Sequence, residues 1–287
     1  MALCLPALTA YTQKSGKLLL SGSGWNKIVI ADKTTKAIEW EYPLLKGWDC
    51  NSVAATPDGN ILFSYSKGAK LISRDKKEIW DIAVPEGCEM HTARVLSDGN
   101  YLLAWCGIPA TILEVNPQGE ILSKTEVDTR IETPHAQFRQ IDKNSRGNYL
   151  IPLFATSEIH EIAPSGQVVN RTKVAGNPFC IAPLDNGNYL VACGDAHSYM
   201  EIDLKTGEVV RTVGANDIEG ISLSFVAQLL PVCHGGVYIC NWQGHDEATV
   251  SGGNPQVIEV DGNGEIVWSL NDHVAFGLIS AICPIDE

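Results

Sequence analysis

Two histidine–arginine pairs offer this chain's most reactive side chains in related settings. His91 and Arg94 stand in "CEMHTARVLSDGNYLLAW" (88–105), where an apolar run enters an Asp-Gly-Asn turn and a second apolar run leaves it. His135 and Arg139 stand in "TPHAQFRQIDKNSRGN" (133–148), a similar stretch with about four extra residues before its glycine. An imidazole titrating near neutrality suits a general base or nucleophile, and a guanidinium fork beside it suits a carboxylate or sulfate. The matching stretch "WDCNSVAATPDGN" (48–60) has Asn51 in the histidine's place, and "NPFCIAPLDNGN" (177–188) has Phe179. A separate group lies in "NWQGHDEATVSGGNPQ" (241–256), with Trp242, His245, Asp246 and Glu247. An indole among polar groups suits stacking on a sugar ring, whose C–H face meets the π system while its hydroxyls take hydrogen bonds. Each group also has a plain structural reading: polar pore residues satisfied by water and backbone, or a tryptophan capping a sheet.

The elements that hold these residues repeat. A turn of the Asp-Gly-Asn type followed by an apolar run recurs at 14–23, 56–65, 96–105, 145–154, 184–193 and 233–242. A second hairpin follows each time, as in "KLISRDKKEIWDI" (70–82) and "YMEIDLKTGEVVRT" (199–212). Aligning the last strands places Trp40, Trp80, Ser123, Asn170, Arg211 and Trp268 in one column, in steps of 40 to 57 residues. Asp-Gly and Asn-Gly between apolar runs signal tight hairpins with both turn positions at positive φ. Two hairpins per unit make a four-stranded antiparallel sheet, and six units of this period predict an all-β, six-bladed β-propeller in one domain, 1–287. The tail "FGLISAICPIDE" (276–287) reads like an inner strand with no hairpin after it, so it is expected to close the ring onto the N-terminal blade. Inner strands line the central channel of a propeller. Asn51, His91, Arg94 and His135 are therefore expected near the axis, with the long 241–256 loop on the working face.

Composition narrows the partners. With 21 basic and 34 acidic residues the net charge is −13, which disfavours nucleic acid and anionic lipid surfaces. No apolar run is long enough for a membrane-spanning helix. Nine cysteines include no Cys-x-x-Cys pair, and most fall in apolar runs as expected of buried thiols. No His-x-His, phosphate loop or calcium loop is present, so neither a metal nor a cofactor is expected. The opening "MALCLPALTAYTQ" has the apolar character of a secretion-signal tail without its basic start.

The hairpins "ADKTTKAIEWEY" (31–42), "EIDLKTGEVVRT" (201–212) and "DGNGEIVW" (261–268) resemble pyrroloquinoline-quinone-type propeller repeats. The stretch "MHTARVLSDGNYLLAW" is similar to the His-x-x-x-x-Leu-x-Asp-Gly-Asn pattern of bacterial arylsulfate sulfotransferases. That resemblance implies a histidine nucleophile, His91, at the channel mouth with an arginine on the sulfuryl group. It also implies export, whereas nine cysteines suit a reducing compartment; the balance leans to an extracytoplasmic bacterial protein. The expectation is a small polar ligand, a carbohydrate or an anion, at the mouth: His91 and His135 as catalytic candidates, and Asn51, Arg94, Arg139, Trp242 and His245 as binding ones. The competing expectation is a scaffold that presents its broad faces to a protein partner.

Overall fold

The computed structural model describes residues 16–245 and 253–285. Among these the chain forms 24 strands, two short 3-10 turns and no α-helix. The strands make six four-stranded antiparallel sheets, the six blades expected from the repeats. In the first blade the inner strand is Ala281–Ile285, paired with Lys17–Gly22 through Leu19–Cys283 and Leu20–Ile282. The C-terminal strand thus closes the ring. The other five blades run in chain order from inner to outer strand, with inner strands Val53–Ala55, Glu89–Val95, Asp142–Lys143, Ile181–Pro183 and Phe225–Pro231.

The glycine turns of the second to fifth blades differ in one detail from the expectation, while in the last blade His234 and Gly235 both take positive φ as expected. In the third blade Gly99 N–H bonds to Leu96 O, and Leu96 N–H to Asn100 O. Gly99 alone takes positive φ, at 84°, while Asp98 stays in the ordinary region. This is a type I turn completed by a left-handed glycine, not a two-residue turn, and Asp98 Oδ1 accepts the Asn100 N–H to hold it.

Burial explains the sequence pattern. Second strands such as Ile61–Tyr65 are buried throughout, because each sheet is covered on both faces by neighbouring blades. Outer strands such as Ile38–Pro43 alternate between half-buried and exposed. The aligned column latches blade to blade. Trp40 Nε1 donates to Arg74 O, Trp80 Nε1 to Pro117 O, Asn170 Nδ2 to Leu204 O and Trp268 Nε1 to Lys33 O. Each acceptor lies in the outer turn of the next blade. The third blade shifts the latch by two residues to Thr125, whose hydroxyl donates to Pro164 O.

This connectivity sorts the loops. Blade-to-blade connections and the hairpins between second and third strands emerge on one face; the glycine turns emerge on the other. The first face carries the candidates of the channel mouth except Arg94, which lies toward the glycine-turn end of its strand. Below it the axis is filled by Gln140 and Gln228: Gln140 Nε2 donates to Asn51 O and Gln228 Oε1, and Gln228 binds Ile282 through both its N–H donor and its carbonyl. Cys50, Cys88, Cys106, Cys180, Cys193 and Cys240 are thiols, five of them buried. No described helix is long and apolar enough to cross a membrane.

Candidate functional site

The inner strand of the third blade positions His91 through an irregularity. Met90 pairs with Trp105 and Thr92 with Ala104, leaving His91 as the extra residue of a β-bulge. A bulge turns its extra side chain away from the regular alternation. His91 accordingly points to the mouth, while Thr92 and Arg94 point to the fourth blade. Thr92 Oγ1 donates to Arg139 O, and Arg94 pairs with Asp142 at 3.4 Å. Burial pushes the Asp142 carboxyl up against that pairing. Arg94 is thus separate from the histidines and serves the contact between two inner strands.

His135 is reached by another route. The extra residues before the fourth blade form a 3-10 turn, Pro134–Ala136, in the connection. His135 therefore stands beside the channel on a loop instead of lining it on a strand, and Glu89 links the two histidines. Glu89 Oε2 is 3.2 Å from His91 Nε2 and 2.7 Å from His135 Nδ1, and the rings meet edge to face with centroids 6.2 Å apart. Asn51 Nδ2 lies 3.1 Å from His91 Nδ1, and Asn51 Oδ1 accepts from Ser280 Oγ. Arg139 Nη2 lies 3.1 Å from His135 Nε2, and Nη1 donates to the carbonyls of His135 and Phe138.

These contacts define the protons. Arginine can only donate, so His135 Nε2 carries the lone pair and Nδ1 carries the hydrogen given to Glu89. Asn51 as oriented donates to His91 Nδ1, so His91 Nε2 gives its hydrogen to the same carboxylate oxygen. Hydrogen bonds from His135 and His91 hold the Glu89 carboxyl far below its usual range. Burial, with the Arg139 charge adding to it, pushes His91 down to about 4. His91 is 1% exposed, whereas the side chains of His135 and Glu89 are 63% and 31% exposed. The cluster shows solvent one imidazole and one carboxylate.

Trp242 and His245 form a second group across an aromatic belt. Arg139 sits 5.2 Å over the Phe154 ring, which packs on Phe225 at 6.1 Å. Phe225 contacts Phe179, Trp242 and His245 at 5.4–5.8 Å. Trp242 Nε1 donates to Ser23 O and ties the last blade to the first. His245 Nδ1 binds Asp195 Oδ1 at 2.9 Å, with both side chains about half exposed. Asp246 and Glu247 lie outside the described residues. Trp25, Trp48 and Trp105 pack within the protein: Trp25 against Phe276 and Trp48 on Tyr65, with Trp105 buried. Glu89, Asp195 and Phe154 are the mouth residues that sequence reasoning passed over. Glu89 had a signal, lying two residues before His91; the other two had none. A cleft of about 350 Å³ between Asn144, Arg146, Glu161, Asp203 and Lys205 opens on the opposite face.

Fold and site together define a six-bladed propeller with a histidine–carboxylate cluster at one mouth of its channel. The family model described as Mal s 1 allergenic protein-like matches residues 17–265, and the chain belongs to that family. A crystal structure of a Bacteroides caccae protein of unknown function is 64% identical, with a TM-score of 0.93 over 96% of this chain and 100% of that one. More distant likeness extends to a streptogramin B lyase, 13% identical with a TM-score of 0.62 over 91% of this chain and 85% of that one. A catalytically inactive Staphylococcus aureus virginiamycin B lyase solved with quinupristin is 13% identical, with a TM-score of 0.58 over 90% and 85% of the two chains. At these identities the lyases share the fold alone. No curated protein matches the chain.

Proposed function

We propose that the protein binds a small, hydroxyl-rich ligand of the carbohydrate class, without covalent chemistry, at the channel mouth between the Glu89–His135 pair and the Asp195–His245 pair. The carrying observation is the hydrogen-bond economy of the cluster. Arg139 directs three of its five donors to His135 and Phe138 and is buried, so it presents little of its charge to an anion at the mouth. The exposed charge next to it is the Glu89 carboxylate, which accepts hydrogen bonds from hydroxyls and repels anions. The aromatic belt from Phe154 to Trp242 supplies apolar edges between the two pairs. His91 is bonded at both ring nitrogens beneath that surface, so it positions Glu89; a histidine nucleophile for sulfuryl transfer needs an open nitrogen.

A thermal-shift screen with neutral oligosaccharides, uronates and aryl sulfates tests this. Neutral sugars are expected to raise the midpoint in wild type and not in His135→Ala, while aryl sulfates give none. Stabilisation by aryl sulfate alone, or by no sugar, sinks the reading. A protein-interaction scaffold is the second reading, favoured by exposed Leu45, Ile108 and Val274 on the same face.

A further inference from the structure

We infer that Glu89, His91 and His135 form a site for one divalent transition-metal ion, of the zinc or cobalt type, at the channel mouth. The inference shares its location with the proposed ligand site but stands on the donor atoms alone. Glu89 Oε2, His91 Nε2 and His135 Nδ1 all lie within 4.8 Å of one another, the one such three-donor group among the described residues. Metal–ligand bonds of about 2.0–2.2 Å set neighbouring donors about 2.9–3.4 Å apart, for octahedral to tetrahedral angles. Of the two nitrogen–oxygen edges, 3.2 Å falls inside that range and 2.7 Å lies just below it. The other histidine–carboxylate pairs, His160 with Glu158 and His245 with Asp195, each bring one imidazole only.

The donor set selects the ion. Two imidazoles and one carboxylate suit zinc and its first-row neighbours, whereas magnesium and calcium prefer oxygen. Three protein ligands leave a position open, and the exposure of His135 and Glu89 turns it toward solvent.

The surroundings accommodate the proton shift that binding requires. An ion at His91 Nε2 moves that ring's hydrogen to Nδ1, which faces Asn51. Rotating the Asn51 amide by half a turn presents Oδ1 to that hydrogen and Nδ2 to Ser280 Oγ, which accepts as readily as it donates. His135 lacks such a partner, because Arg139 Nη2 already donates to its Nε2. An ion at Nδ1 breaks that bond, so His135, exposed on its short turn, is the ligand that must swing and the weakest of the three.

Sequence spacing hides this site. Two donors come from one strand with a bulge between them, and the third lies 44 residues beyond His91 in a connection.

Chelator-stripped protein titrated with Zn²⁺ and with Co²⁺ by calorimetry, with Co²⁺ also followed by visible absorption, tests the inference. One ion per chain is expected, with binding at least tenfold weaker in His135→Ala and in Glu89→Gln and unchanged in His160→Gln, at the imidazole–carboxylate pair outside the mouth. His135→Ala alters an exposed side chain and Glu89→Gln a half-buried one of the same shape, and circular dichroism confirms their fold. No saturable uptake by wild type, or equal uptake by His135→Ala and Glu89→Gln, overturns the site. So does loss of uptake in His160→Gln. Repeating the sugar screen with and without chelator separates the two readings: sugar binding that survives without metal uptake leaves only the ligand reading standing, and metal uptake without sugar binding leaves only the metal site.

Discussion

His91 is where residue-scale chemistry and stability meet. Folded, its imidazole takes up a proton only near 4; its ordinary value is 6.5. Between those values the unfolded chain binds a proton that the folded chain refuses. Stability therefore rises with pH across this window and is lost on acidification, by about 3 kcal/mol at most. Glu89 acts in the same sense at lower pH. Its folded pKa is depressed, so its contribution is present above the ordinary carboxylate value of 4.5 and drains away as pH falls. The midpoint of thermal unfolding is expected to fall between about pH 7 and pH 5 in wild type, and to fall less in His91→Gln, which has no imidazole to protonate. Parallel curves would remove His91 from this account. At pH 7 the same substitution should cost about 1–3 kcal/mol, because Asn51 and Glu89 lose a buried partner.

Among the elements, the outer strands carry a latch whose strength can be measured. Trp80 packs against Gly119 as well as bonding to Pro117 O. A Cβ on Gly119 would stand 2.9 Å from the Trp80 ring, and the glycine already sits at a φ of 84°. Gly119→Ala is expected to cost about 1–3 kcal/mol through strain, and Trp80→Ala about 3–5 kcal/mol through the cavity it leaves. Because both act on one contact, the double variant should cost less than their sum. Urea unfolding midpoints measure all three; full additivity would show that the glycine and the indole do not act together.

For the whole molecule, closure governs cooperativity. The strand Ala281–Ile285 is the one element that joins the chain's two ends, and removing it exposes the paired edge of Lys17–Gly22. It also removes Ile282, whose backbone anchors Gln228 at the axis. A chain ending at residue 280 is expected to lose its single sharp unfolding transition and to self-associate through the open edge. Size-exclusion chromatography and calorimetry would show this; a monomer with an unchanged transition would mean that blade-to-blade packing alone closes the ring.

The propeller was legible because it rests on local signals: glycine turns at regular intervals, apolar runs that two neighbouring blades must cover, and a column of latch residues in register. Ring closure was legible for the same reason, since a lone inner-strand pattern at the C-terminus lacks its partner until it meets the N-terminus. The mouth was legible in part. Asn51, His91 and His135 do meet, Asn51 on His91 directly and the two histidines through Glu89, and from unlike elements. Only tertiary structure decided that Arg94 would serve Asp142, that a bulge would turn His91 to the mouth, and that Arg139 would direct its donors inward. Those outcomes depend on which groups approach within about 3 Å of each other across blades, where hydrogen bonds form or fail. A linear pattern records spacing along the chain and holds no measure of that approach.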